Sequence, residues 1–237
     1  MIDLLAFGPH PDDLEIGMGA TLAKHAALGH TVGLCDLTRG DLSSNGTPEQ
    51  RVAEAEAARV VLGAAWRENL GWPDRGIGSR EEHVTIAVEL IRRARPRVVA
   101  VPYWTDRHPD HAAASRLLTD ALFNARLRRY GAEGEAWHPD WVCYYFINDS
   151  APASFVVDVS AHYDVKRRAL ACFRSQFEVG ATDEGVDTRL TSPRFRQLIE
   201  SRDAQFGALA HVAFAEGFVV KEPVVRDSLM KALGPRR

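Results

Sequence analysis

The sequence is short of cysteine, of lysine and of long apolar runs. Its three cysteines, Cys35, Cys143 and Cys172, lie far apart and form no Cys-x-x-Cys pair. That excludes a disulfide scaffold, a zinc ribbon and a thioredoxin-type redox motif. Reduced thiols in a cytoplasmic protein are the expectation. No stretch approaches the roughly 18 uninterrupted apolar residues of a membrane span. The opening Met1-Ile2-Asp3-Leu4 has neither a basic stretch nor a cleavage pattern, so no export signal is expected. Only Lys24, Lys166, Lys221 and Lys231 are lysine among 29 basic residues, and 32 acidic residues leave a net charge of −3. That balance gives no electrostatic case for a nucleic-acid partner. Repeats and low-complexity tracts are absent. With 46% apolar and 26% charged residues, the chain is neither disordered, collagenous nor a coiled coil. Missing as well are the Gly-x-Ser-x-Gly elbow, the phosphate-binding P-loop and the His-Glu-x-x-His helix.

At 237 residues the chain suits a single α/β domain, residues 1–237. Apolar runs at Ile2–Phe7, Thr31–Leu37, Arg67–Leu70 and Arg97–Tyr103 read as strands. They alternate with helical spacing at Leu14–Ala27, Pro48–Leu62, Glu81–Ala94 and Pro109–Tyr130. Thr47 is the expected N-cap of the second helix, with Pro48 at its first position and Gly63 as its stop. Further strands are expected at Val142–Ile147, Phe155–Val159 and Phe214–Val220, and helices at Asp164–Gln176 and Pro193–Leu209. Ser175–Ser192 is polar and rich in Gly and Asp, and reads as a mobile loop. Regular alternation means βαβ units: a mostly parallel sheet with helices on both faces, a three-layer α/β/α fold. In a sheet of order 3-2-1-4 the first and fourth strands are neighbours. Ligands bind beyond their C-terminal ends, where the chain reverses direction.

Three tripeptides repeat: His10-Pro11-Asp12, His108-Pro109-Asp110 and His138-Pro139-Asp140. The first continues with Asp13 and the second with His111, so each places two metal-capable side chains three residues apart. The third continues with Trp141 and reads as a turn entering a strand. The first two sit just past the first and fourth strands, so they should face each other across one crevice. Two imidazoles and a carboxylate make a zinc set that leaves a fourth position for water. His10, Asp13 and His111 are the expected ligands, with iron(II) also suited to them. Asp12 adjoins a ligand and can accept a proton from water. His108 can donate to an oxyanion, and Asp110 can orient an imidazole from behind. A lone His-Pro-Asp is more often a helix N-cap; two, each extended by a further ligand type, point to a metal. His25, His30, His83 and His162 have no ligand-like neighbours, and His211 could line the crevice. Gly17-Met18-Gly19 with Asp36 hints at a dinucleotide site, but Gly17 lies too far past the strand and better suits close helix packing.

Phe7-Gly8-Pro9-His10-Pro11-Asp12-Asp13 and Asp106-Arg107-His108-Pro109-Asp110-His111 resemble the paired motifs of the PIG-L/LmbE-like zinc-dependent N-acetylglucosamine deacetylases. Within that family the chain is most similar to the bacillithiol-biosynthesis deacetylases. Supporting segments are Asp13–Met18, Cys35–Thr38 with Asp41–Thr47, Pro73-Asp74-Arg75-Gly76, Ser175-Gln176-Phe177 and Ala215-Glu216-Gly217-Phe218. The resemblance implies a Rossmann-like fold, one zinc per subunit, a cytoplasmic hexamer, and removal of acetate from N-acetylglucosaminyl malate. It implies Asp12 as base, His10, Asp13 and His111 as ligands, a positively charged His108 at the oxyanion, and Arg51 near the substrate. Three departures stand out. Pro9 replaces a small residue, Phe195 stands where some relatives carry a tyrosine, and the region of His138 lacks an arginine found in others. The alternatives are a deacetylase of another N-acetylglucosamine compound, such as a chitooligosaccharide or an antibiotic precursor, and a non-hydrolytic nucleotide-binding protein.

Overall fold

The computed structural model describes residues 1–178, 180 and 185–225. Its first half alternates β1 (Ile2–Gly8), α1 (Asp13–Ala27), β2 (Val32–Thr38), α2 (Pro48–Leu62), β3 (Trp66–Trp72), α3 (Glu82–Ala94), β4 (Pro96–Pro102) and α4 (Pro109–Ala125). There follow β5 (Trp141–Tyr145), β6 (Phe155–Asp158), a 3-10 turn at Ser160–His162, α5 (Tyr163–Leu170), α6 (Arg174–Phe177), α7 (Pro193–Leu209) and β7 (Ala215–Val219). The sheet has seven strands in the order β3-β2-β1-β4-β5-β7-β6. Neighbours from β3 to β5 run parallel, while β7 is antiparallel to both β5 and β6. The expected mostly parallel sheet and its 3-2-1-4 core are therefore present.

Strand alternation sends side chains into two cores. Leu4, Ala6, Val32, Leu34 and Ala100 pack with α1, α2, α5 and α7 on one face. Leu5, Phe7, Cys35, Leu37, Val99 and Val101 pack with α3 and α4 on the other. Both faces are covered, giving three layers.

Several ends differ from expectation for local reasons. Thr47 caps α2 as expected, its hydroxyl accepting from the Gln50 N–H at 3.2 Å, but α4 stops at Ala125 rather than Tyr130. The Arg92 guanidinium gathers the carbonyls of Ala125 (3.2 Å), Leu127 (2.8 Å) and Ala132 (2.7 Å), and so turns the chain away from the helix. The helix expected over Asp164–Gln176 breaks between α5 and α6. Ser175 instead gives its N–H and hydroxyl to the Glu54 carboxylate at 2.7 and 2.6 Å. Ser175 and Gln176 are buried, so this end of the expected mobile loop is tied down. Val179 and residues 181–184 of that loop lie outside the described residues.

Helix α1 is kinked at Met18, whose φ of −148° and ψ of 23° are not helical. The N–H groups of Ala20 and Thr21 donate instead to the Glu216 carboxylate at 3.1 and 2.6 Å. Glu216 binds Lys166 at 2.7 Å, and Lys166 binds Asp203 at 2.7 Å. Arg202 joins Asp203 at 3.0 Å and donates to the carbonyls of Ile16 and Ile147, both at 2.7 Å. All four charged groups are buried, and their charges balance. Gly17 gives the close packing expected of it, since a Cβ there would lie 2.3 Å from the Tyr145 ring.

Candidate active site

The C-terminal ends of β1 and β4 lie side by side, and the two histidine motifs meet there. Ring centroids are 5.5 Å apart for His10 and His111, 4.8 Å for His10 and His108, and 4.7 Å for His108 and His111. Asp13 Oδ2 lies between two imidazoles, 3.0 Å from His10 Nδ1 and 3.3 Å from His111 Nε2. A tetrahedral zinc with bonds of roughly 2.0–2.1 Å sets its ligand atoms roughly 3.3–3.4 Å apart. The two contacts of Asp13 lie at or just below that spacing, and two imidazoles with a carboxylate have the donor chemistry such an ion takes. His10, His108 and His111 also offer one nitrogen each within 4.8 Å of one another.

The surroundings explain how each group is poised. Burial pulls the His10 imidazole down, but Asp110 and Asp13 outweigh it and raise its pKa to about 10. Burial opposes a charge on His111 too, yet Asp13 and Asp106 raise its pKa to about 9. These same imidazoles hold Asp13 well below the usual carboxylate range despite its burial. Asp110, expected behind an imidazole, is there: its Oδ2 is 3.1 Å from His10 Nε2 and accepts from the Arg75 N–H at 2.8 Å.

Asp12 sits at the start of α1 with φ of 109°, a conformation costing about 1–3 kcal/mol without glycine. Burial is the main force on its carboxyl; Arg51 works against it and Asp13 with it, and the pKa reaches about 7. Arg51 is buried, so it is no solvated helix arginine. It binds Asp12 Oδ2 at 3.1 Å and also donates to the Pro11 carbonyl. His108 caps α4, its Nδ1 accepting from the Asp110 N–H at 3.2 Å. Its neutral ring then carries the proton on Nε2. Burial lowers the His108 pKa, and the nearby charges of His10 and His111 lower it further. The ring so held leaves an Nε2–H free to donate, as the oxyanion role implied by the resemblance requires.

A cavity of about 510 Å³ opens over these groups, lined also by Asp74, Arg107, Asn148, Arg189 and Phe195. Sequence reasoning singled out Phe195 but gave the other four no role. Asp74 Oδ2 accepts from the Leu42 N–H at 2.9 Å. Its buried Oδ1 has no hydrogen-bond donor among the described residues and lies 3.9 Å from His10 Nε2. Its place just beyond the end of β3, at the same edge of the sheet as the two histidine motifs, was the available signal. Arg107 forms no ion pair among the described residues. The Arg189 pKa is lowered, first by burial and then by the charge of Arg107. Two guanidiniums therefore share one wall of the mouth.

Other candidates lie elsewhere. His138 lines a separate cavity beside Trp141 and Lys221. His211 is exposed with φ of 60°. His83 stacks on Trp72 at 4.1 Å, and His25 meets His30 at 2.9 Å. Asp36, the residue that hinted at a dinucleotide site, is engaged by Arg67 at 2.7 and 2.8 Å.

Comparison with known proteins agrees with this geometry. The sequence pattern of the PIG-L family, GlcNAc-PI de-N-acetylase, matches residues 5–122. The 1D-myo-inositol 2-acetamido-2-deoxy-alpha-D-glucopyranoside deacetylase 2 of Saccharopolyspora erythraea is 30% identical over 246 residues, covering 78% of this chain and 87% of that protein. The diacetylchitobiose deacetylase of Thermococcus kodakarensis is 28% identical over 189 residues, covering 73% of this chain and 70% of that one. The crystal structure of the conserved protein TT1542 from Thermus thermophilus superposes with a TM-score of 0.88 at 39% identity, covering 98% and 100% of the two chains. With both histidine motifs inside the matched region and a relative aligned over most of its length, the chain belongs to the PIG-L family of de-N-acetylases.

Proposed function

We propose that this protein is a metal-dependent hydrolase that removes the N-acetyl group from an N-acetylglucosamine conjugate. The observation that carries the reading is Asp12, a strained, buried carboxylate balanced near neutrality beside the His10, Asp13 and His111 donor set. A divalent ion held by those three residues, zinc or iron(II), would lower the pKa of a water to about 7 and polarise the amide carbonyl. The chain's own groups account for the proton traffic. Asp12 accepts a proton from the attacking water and returns it to the amine nitrogen as the C–N bond breaks, leaving acetate and a free amine. Arg51 holds that carboxylate in place. His108 Nε2–H donates to the carbonyl oxygen as charge builds there. Asp110 keeps the His10 ring oriented from behind.

The finer substrate reading is N-acetylglucosaminyl malate. Its support is the Arg107–Arg189 wall, where two adjacent cations suit an aglycone with carboxylates. In this reading the enzyme works in the cytoplasm, with its three free thiols reduced. The hexamer implied by the resemblance belongs to the same reading and is checked by light scattering. The nucleotide-binding alternative loses support because Asp36 is occupied by Arg67.

The test is acetate release by chelated and metal-reloaded enzyme from N-acetylglucosaminyl malate, diacetylchitobiose, the inositol conjugate and free N-acetylglucosamine. Metal-restored activity is expected, highest on the malate conjugate. Restored activity that prefers the neutral substrates would retain the deacetylase and discard malate. No acetate from any of them would discard the hydrolase.

A further inference from the structure

His111 is approached from both sides. Its Nε2 faces Asp13 Oδ2 at 3.3 Å, and its Nδ1 faces Asp106 Oδ1 at 3.0 Å. The Asp106 side chain is only 3% exposed. Its oxygens also accept from the His108 N–H at 2.8 Å, from the Asn148 N–H at 2.9 Å and from the Asn148 side-chain amide at 3.0 Å. These donors come from two parts of the fold, the turn entering α4 and the segment after β5. A carboxylate pinned from both cannot swing to follow an imidazole, so the imidazole must conform to it.

A neutral imidazole has one proton for two nitrogens, and an ionised carboxylate only accepts. With a metal on the Nε2 side between His111 and Asp13, the one proton of His111 belongs on Nδ1, toward Asp106. That leaves the Nε2 lone pair on the side of Asp13 and His10. We infer that Asp106 is a positioning residue: it sets the tautomer and ring angle of His111, and Asn148 holds Asp106 to that task. The inference rests on the metal-binding reading above. A carboxylate behind a ligating imidazole also raises its basicity, and losing such a partner typically weakens metal binding by about 10- to 100-fold. Arg189 donates to Asn148 Oδ1 at 3.1 Å, so the same chain of contacts runs on to the cavity mouth.

The test is zinc affinity, measured without substrate by competition with a chelator, for the wild type, Asp106→Ala and Asp106→Asn. Asp106→Ala is expected to lose about 10- to 100-fold. Asp106→Asn, which keeps an acceptor oxygen, should lose less. Nitrogen-15 spectra of the zinc-loaded wild type should show His111 protonated at Nδ1, with slow exchange. Affinity within threefold of wild type in Asp106→Ala, or a zinc-bound His111 lacking the Nδ1 proton, overturns the inference. Should Asp106→Ala not fold, the wild-type spectrum decides: a zinc-bound His111 protonated at Nδ1 upholds the inference, and one lacking that proton overturns it. A wild type that takes up no zinc overturns the metal reading and this inference together. Zinc uptake that ignores Asp106 overturns this inference alone.

Discussion

Asp12 is held in a backbone conformation that its side chain disfavours. The strain is understandable if the carboxylate must face the cavity beside Asp13 while Arg51 grips it. Asp12→Asn keeps the shape and removes the base. It is expected to retain zinc and to lower kcat by about 10²- to 10⁴-fold; near-normal turnover would eliminate the role. The cavity mouth makes a separate prediction. Arg107→Ala and Arg189→Ala should each raise KM for an anionic conjugate by about tenfold, the worth of one modest charge-assisted bond. They should leave KM for diacetylchitobiose unchanged. Equal effects on both substrates would show that the pair supports the fold and does not read the aglycone. Residues legible in the sequence were those inside a compact motif at a strand end, as with His10, Asp13 and His111. Asp74 and Asp106 stood inside quoted segments but without a readable role, and Asn148 and Arg189 were not legible at all, because the partners of all four lie on loops that converge only in three dimensions.

Helix α1 links the first motif to the rest of the molecule, and its kink decides how. Gly17 faces the Tyr145 ring where no Cβ fits, and Tyr145 in turn donates its hydroxyl to the Phe7 carbonyl at 2.8 Å. Gly17→Ala is therefore expected to destabilise by about 1–3 kcal/mol through overpacking. Urea unfolding of the zinc-free protein is the measurement, and a stabilised variant would contradict the packing described. The helical pattern of α1 was readable from apolar spacing, but its kink was not. The partner of the freed N–H groups, Glu216, lies near the other end of the chain. The break between α5 and α6 was hidden for the same reason, since Glu54 on α2 competes for the backbone of Ser175.

At the scale of the whole molecule, the share of stability that His10 and His111 supply and the binding of metal respond to pH in opposite directions. In the zinc-free protein His10 and His111 titrate near 10 and 9, against about 6.5 in an unfolded chain. Their contribution to stability is complete below about pH 6.5 and is lost as pH rises through these folded values. Zinc must displace protons from the ligand nitrogens, so its affinity climbs over the same window. The gain in Tm from saturating zinc should therefore widen from pH 6.5 to about 9, and a flat or shrinking gain would contradict the ligand set. A second prediction concerns the buried network. Lys166→Met leaves Asp203 and Glu216 without their shared cation and should cost about 3–5 kcal/mol, read by urea unfolding of the zinc-loaded protein. A loss below about 1 kcal/mol would mean that Arg202 alone suffices. The layered architecture was legible at this scale because alternation and strand-end rules are local. The insertion of β7 between β5 and β6 was not, because short strands carry no label for their partners.

That insertion has a consequence for how the chain is made. β6 is synthesised long before β7, yet β7 is the strand it pairs with, and the outer edge of β5 waits for the same strand. Until Val219 has left the ribosome, β5 presents unpaired backbone groups of the kind that invite pairing with a foreign chain. The speed of translation through α7 thus sets how long that edge stays open to a foreign strand.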